Sequence, residues 1–226
     1  MQAPVDLAPL LDHTVLRPDA TAEDVAKACE EARRYGFAGV CVRPGHIALV
    51  ARLLAGSSSR PISVVDFPLG TAMTRAKVEE ATSAAAAGAE ELDMVANVAA
   101  LQGRDYALVL REVRAVVDAV RPRPVKVILE VGALTAEEKA IGAALAKAGG
   151  AAFVKTSTGF GPGGATVEDV ALLRQIVGAE MGVKASGGIR TAADARRMIA
   201  AGANRIGASA SVAIVTGKQA SAGGRY

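Results

Sequence analysis

The feature that most constrains this chain is a cycle repeated along nearly its whole length. A short apolar run breaks at glycine or proline, an amphipathic stretch follows, and a glycine leads into the next apolar run. The runs fall at 10–16, 39–42, 62–67, 91–95, 125–130, 153–155, 183–186 and 205–209. Segments so short and so apolar suit strands covered on both faces. The stretches between them suit helices. Thr21 with Asp24, Thr135 with Glu138, Thr166 with Asp169 and Thr191 with Asp194 have capping-box spacing, and Gly36, Gly88 and Gly202 stand where helices stop. Strands that alternate with helices imply a parallel sheet, because each parallel pairing needs a crossover. Eight such units in 226 residues predict an α/β chain closed as a (β/α)8 TIM barrel, a compact version of an architecture of about 250 residues. An open doubly wound sheet would more often have fewer strands and a glycine-rich turn after the first, and no G-x-G-x-x-G follows the first strand here. No linker-like stretch interrupts the pattern. Residues 1–226 therefore read as one barrel domain, with a flexible tail expected over 217–226.

Composition narrows the partners. Apolar residues make up 51% of the chain, enough for a large core. The net charge of +3 is dispersed, with no basic cluster interleaved with aromatics, which argues against nucleic acid and fits an anionic metabolite. Cys29 and Cys41 form neither a disulfide framework nor a metal-spaced set. There is no membrane-length apolar run and no signal-peptide pattern, so a cytoplasmic protein without a membrane partner is expected.

Against this apolar background, two lysines stand out. The stretch Phe153-Val154-Lys155-Thr156-Ser157-Thr158-Gly159 and the later Val183-Lys184-Ala185-Ser186-Gly187-Gly188-Ile189-Arg190 each place a cation in an apolar strand just before hydroxyl residues and glycines. Lysine is costly to bury without a partner or a purpose. Alternation lets Asp12, Asp93, Lys126, Glu130, Lys155 and Lys184 point into the barrel, whose active site lies at the strands' C-terminal ends. A lysine becomes a nucleophile when burial and a neighbouring cation lower its pKa. With Lys184 beside Lys155, one ammonium discourages the other, so one of the pair can attack a carbonyl, and a carboxylate such as Asp93 can move protons as an imine forms and is consumed. No metal or other cofactor is called for. Gly187 and Gly188 after the seventh strand, and Gly207 and Ser209 at the eighth, offer backbone N–H groups to a phosphate, with Arg190 adding charge. Asp12 and Glu130 have a structural alternative as partners of Lys126. Cys41 reads as core, near enough to the mouth for its thiol to meet an aldehyde.

Leu-Asp12-His-Thr14-Val-Leu, Glu-Leu-Asp93-Met-Val, Val-Lys126-Val-Ile-Leu-Glu130 and the two lysine motifs, in this order along nearly the whole chain, resemble the deoxyribose-phosphate aldolase family. The resemblance implies a class I aldolase that reversibly cleaves 2-deoxy-D-ribose 5-phosphate to acetaldehyde and D-glyceraldehyde 3-phosphate. It implies Lys155 as the Schiff-base lysine, Lys184 as its pKa-lowering neighbour and Asp93 as the proton-transfer carboxylate. Asp12 would place a substrate hydroxyl, with Thr14 and Thr158 close to the site, and Gly159, Gly187, Gly188, Gly207 and Ser209 would line the phosphate site. A C-terminal tyrosine that can fold back as a proton relay corresponds to Tyr226. A homo-oligomer, dimer or tetramer, is expected. Two other readings remain open: a transaldolase-like lysine enzyme, and a non-catalytic phosphosugar-binding barrel in which both lysines merely contact the anion.

Overall fold

The computed structural model describes residues 6–217. Eight strands, β1 (Leu11–Val15), β2 (Gly39–Val42), β3 (Arg60–Val65), β4 (Glu91–Val95), β5 (Val125–Ile128), β6 (Phe153–Lys155), β7 (Gly182–Ser186) and β8 (Arg205–Ala208), pair in sequence order, all parallel. β8 returns to β1 and closes the barrel. The connections carry α1 (Ala22–Tyr35), α2 (Ile47–Leu54), α3 (Thr74–Ala86), α4 (Val98–Gln102), α5 (Tyr106–Val120), α6 (Ala136–Ala148), α7 (Val167–Val177) and α8 (Ala192–Ala200), and α9 (Ser211–Thr216) follows β8.

Local chemistry accounts for most of these boundaries. The capping boxes at Thr21, Thr135 and Thr191 are complete, with both reciprocal hydrogen bonds present. At Thr166 only half forms. Its hydroxyl accepts from the Asp169 amide, but the Asp169 carboxylate turns to Lys139 at 2.6 Å. Gly36 ends α1 in the left-handed region at φ 71°, where a side chain would be strained. Two strands stop earlier than their apolar patterns predict. β3 ends at Val65 and β5 at Ile128, and the acids just beyond, Asp66 and Glu130, adopt φ 50° and 57°. Glu130 is therefore not a strand residue. It sits on the sharp turn by which the chain leaves the barrel mouth.

Two layers divide the side chains. One parity of each strand, including Leu11, Val40, Leu92, Val127, Val154, Val183 and Ile206, faces the helices and builds the main apolar core. Inside the barrel a smaller apolar set, Leu16, Cys41, Ile62 and Val64, occupies the β1–β3 side. The interior also holds a charged set: Asp12, Asp93, Lys126 and Lys184 are fully buried. Outside the barrel, a further lysine is also fully buried. Lys77 of α3 donates to Glu112 at 2.9 Å and to the carbonyls of Gly70 and Val95, with Asp66 at 3.4 Å. It ties α3 to α5 and to the exits of β3 and β4.

Candidate active site

Parallel register brings the two strand lysines side by side, with Lys155 of β6 opposite Lys184 of β7 and Ile128 on its other flank. Both donate to one oxygen of Asp93, Oδ2, each at 2.8 Å. The other oxygen, Oδ1, accepts from Lys126 at 2.7 Å. Lys184 also donates to Asp12 Oδ2 at 2.5 Å. Asp12 Oδ1 in turn accepts from Arg205 at 2.7 Å, and Arg205 and Lys126 share Glu91 at 2.7 and 2.6 Å. Closure of the barrel thus links residues from β1, β4, β5, β6, β7 and β8 into one network.

The network divides its charge unevenly. Three carboxylates (Asp12, Glu91, Asp93) face four cations (Lys126, Lys155, Lys184, Arg205), and half-exposed Arg60 reaches Glu91 at 3.7 Å from the rim. Burial opposes every charge here. For Lys184 the facing Asp12 and Asp93 outweigh burial and raise its pKa. For Lys155, burial and the Lys184 ammonium outweigh the shared Asp93, and its pKa is lowered. Burial would raise Asp93, but Lys126, Lys155 and Lys184 together hold it well below the usual carboxylate range. Burial likewise opposes Asp12, whose pKa Lys184 and Arg205 bring to about 2. The outcome is a fixed carboxylate between a firmly held ammonium and an amine that gives up its proton more readily than an ordinary lysine. Deprotonating Lys155 also evens the charge of the interior set. Such an arrangement suits chemistry that needs an amine able to lose its proton beside a carboxylate.

Comparison with known proteins places the chain in a family. The model of the DeoC/LacD family aldolases matches residues 7–221. The chain is 52% identical over 214 residues to the deoxyribose-phosphate aldolase of Thermoanaerobacter sp. (strain X514), covering 93% of this chain and 96% of the relative. The chain belongs to the DeoC/LacD aldolase family. A second relative, the deoxyribose-phosphate aldolase of Clostridium perfringens (strain 13 / Type A), is 50% identical over 94% of this chain and 95% of its own length. Among solved structures, the tetrameric deoxyribose phosphate aldolase of Aeropyrum pernix superposes with a TM-score of 0.87 at 36% identity, covering 93% of this chain and 89% of that one.

Within this DeoC/LacD aldolase, the remaining expected residues fall into three groups. Gly159, Gly187 and Gly188 lie in the turns beyond β6 and β7 with φ 87°, 93° and 79°, conformations that favour glycine, and Gly188 opens to space on its Cβ side. Arg190 is exposed and Ser209 half-buried at the same end of the barrel. Gly207 lies within β8, paired with Ser186 and Asp12 on either side. A Cβ there would meet Lys184 Cε at 3.0 Å, so its missing side chain makes room for the lysine stem. Thr14 is buried and donates to the Asp12 carbonyl at 2.9 Å. The Thr158 hydroxyl, expected close to substrate, donates to Glu130 and accepts from two loop amides. Tyr226 lies outside the described residues.

Lys126 pairs with Glu91 and Asp93, not with Asp12 or Glu130, because β5 lies beside β4 while Asp12 is drawn to Lys184 and Arg205. Cys41 is core, as its strand position suggests: it packs with Leu16, Ile62 and Val64, and burial pushes its thiol up to about 11. Arg205 and Glu91 were not singled out as site residues, although they anchor the base of the network. Glu91 shares a strand face with Asp93, and that alternation was the available signal.

Proposed function

We propose that this aldolase reversibly cleaves 2-deoxy-D-ribose 5-phosphate to acetaldehyde and D-glyceraldehyde 3-phosphate through an imine on Lys155. The observation that carries the reading is the unequal pairing of the two register-matched lysines around one Asp93 oxygen. Neutral Lys155 Nζ attacks the C1 aldehyde, and loss of water from the carbinolamine gives a protonated imine. The C2–C3 bond then breaks, its electron pair moves towards the iminium to form an enamine, and the C3 hydroxyl loses its proton to become the new aldehyde. Protonation of the enamine at C2 and hydrolysis release acetaldehyde and restore the amine. Asp93, held as a carboxylate in contact with both amines, relays protons between nitrogen and the substrate, and Lys184 keeps the Lys155 pKa low. Asp12 places a substrate hydroxyl.

The phosphate is assigned to the loops beyond β6, β7 and β8, where barrels commonly receive it, with Gly159, Gly187, Gly188, Arg190 and Ser209 as its contacts. The names of the relatives at about 50% identity support the substrate. Assembly into an oligomer belongs to the same reading, supported by the tetrameric Aeropyrum pernix structure. The test is borohydride reduction in the presence of acetaldehyde, followed by peptide mass mapping. An ethyl adduct on the Lys155 peptide is expected, and an unmodified Lys155 with intact sugar-phosphate binding overturns the imine. Turnover of 2-deoxyribose 5-phosphate but not fructose 6-phosphate is expected, and the reverse preference points to a transaldolase-like enzyme.

A further inference from the structure

The loop that follows Lys155 is pinned by a side chain from the exit of the preceding strand, β5. Glu130 Oε2 accepts from the Thr158 hydroxyl at 2.5 Å and from the Thr158 amide at 3.3 Å. Thr158 Oγ1 in turn accepts from the amides of Phe160 at 3.0 Å and Gly161 at 3.3 Å. A hydroxyl has one proton and two lone pairs, so these bonds use its whole capacity and leave none for a ligand. Its work is to fold the loop.

Close backbone approaches extend the clamp on both sides. A Cβ on Gly161 would lie 2.6 Å from the Glu130 carboxyl carbon, and one on Gly132 would lie 1.9 Å from the Pro162 carbonyl oxygen. At its far end, the loop meets the turn after β7. The Ala165 amide donates to the Gly187 carbonyl at 3.0 Å, and a Cβ on Gly164 would lie 2.6 Å from that same oxygen. The hydrogen bonds of Glu130 therefore reach, through one loop, the glycine turn assigned above to phosphate.

Glu130 bears two costs in this position. Its φ of 57° is unfavourable for a residue with a side chain, and its Oε1 is buried without a hydrogen-bond partner among the described residues. Strain and an unmet buried acceptor on one residue are concentrated where function holds them in place. Glu130 also helps to wall a cavity of about 220 Å³ with Leu69, Val95, Val98 and Phe160, which places it at the barrel mouth.

We propose that Glu130 is a positioning residue for recognition of the substrate phosphate. Through Thr158 it fixes the loop over 157–164, and with it the Gly159 backbone and the Gly187–Gly188 turn, in the arrangement that receives the anion. The proposal rests on the aldolase reading above.

The experiment compares Glu130→Ala, Glu130→Gln and Thr158→Val with the wild type, using both 2-deoxyribose 5-phosphate and unphosphorylated 2-deoxyribose. Glu130→Ala and Thr158→Val are expected to raise KM for the phosphorylated sugar about tenfold or more, the effect of losing hydrogen bonds to a charged group. Their kcat, and kcat/KM for 2-deoxyribose, should change far less. Glu130→Gln keeps an oxygen that can accept both Thr158 bonds and should recover most of the loss. An unmoved KM, or equal losses with the two sugars, overturns the proposal, as does a Gln variant as impaired as Ala. If Glu130→Ala does not fold by circular dichroism, Thr158→Val decides the matter. Acetaldehyde trapping on wild-type Lys155 is run in parallel, so failure of the imine reading shows separately from failure of the clamp.

Discussion

Buried lysines occupy two very different regions of this molecule. Lys77, between α3 and α5, has two carboxylates and two carbonyl oxygens around its ammonium. Lys155, inside the barrel, has a single carboxylate oxygen, and that oxygen also serves Lys184. Both side chains are buried, so burial does not distinguish a structural lysine from a reactive one. The supply of acceptors does. A fully surrounded ammonium serves as a structural tie, whereas one that shares its partner with a stronger competitor is the proton the site can release most easily. The same contrast recurs within the barrel: Lys184, one register step from Lys155, holds Asp12 as well as Asp93 and is driven the opposite way.

The most severe way to break this comparison is Lys155→Leu. Carbon–carbon cleavage should fall by about 10⁴-fold or more, as when a nucleophile is removed, while circular dichroism still reports a folded barrel. Residual cleavage near the wild-type rate would remove Lys155 from the chemistry. Next comes Lys184→Leu, which leaves Lys155 as the sole lysine on Asp93 Oδ2. The repulsive cation is gone and the attraction of Asp93 is undivided, so both changes raise the Lys155 pKa. Activity at pH 7 should drop about 100-fold and recover in part as pH rises, with the acid limb of the kcat/KM profile moved to higher pH. An unmoved limb would mean that Lys184 does not tune its neighbour.

The complementary variant is Lys77→Met. It leaves Glu112 and Asp66 buried beside an apolar side chain and should cost about 3–5 kcal/mol of stability, lowering Tm by about 10 °C. Because Lys77 lies outside the barrel interior, kcat below the new Tm should match the wild type. A loss of kcat with no loss of stability would invert the distinction between the two regions.

The sequence displayed the barrel well because its signals are local. Threonine caps, terminal glycines and short apolar runs each act within a few residues, and three of the four expected capping boxes close as written. Lys155, Lys184 and Asp93 were visible because a charge in an apolar strand is anomalous whatever surrounds it. Arg205 was not, since an arginine at the start of a strand reads as a rim residue until β8 closes on β1 and brings it to Asp12. Lys77 was hidden for a related reason. On a helix a lysine is ordinary, and only the packing of α3 on α5 reveals Glu112 35 residues away. Glu130 looked like the end of a strand because its apolar neighbours continue the alternation, and its left-handed turn is imposed by the loops around it. What stayed illegible was the pairing of charges, which depends on register and closure rather than on any local pattern.

The smallest expected effect concerns stability in acid and tests whether Asp12 is as tightly paired as the geometry requires. Burial alone would raise its pKa, but Lys184 and then Arg205 overcome burial and lower it from 3.8 to about 2. The folded state therefore keeps the carboxylate ionised over a range in which the unfolded chain takes up a proton. Stabilisation by this group is fully present well above pH 3.8 and is lost as pH falls through about 2, a contribution of roughly 1–3 kcal/mol. Asp12→Asn cannot take up that proton. In urea unfolding at a series of pH values, the stability gap between wild type and Asp12→Asn should stay constant above pH 5 and narrow steadily as pH approaches 2. A gap that does not change with pH would show that Asp12 gains nothing from its two cations on folding, and Lys184 would then lose the partner that separates it from Lys155.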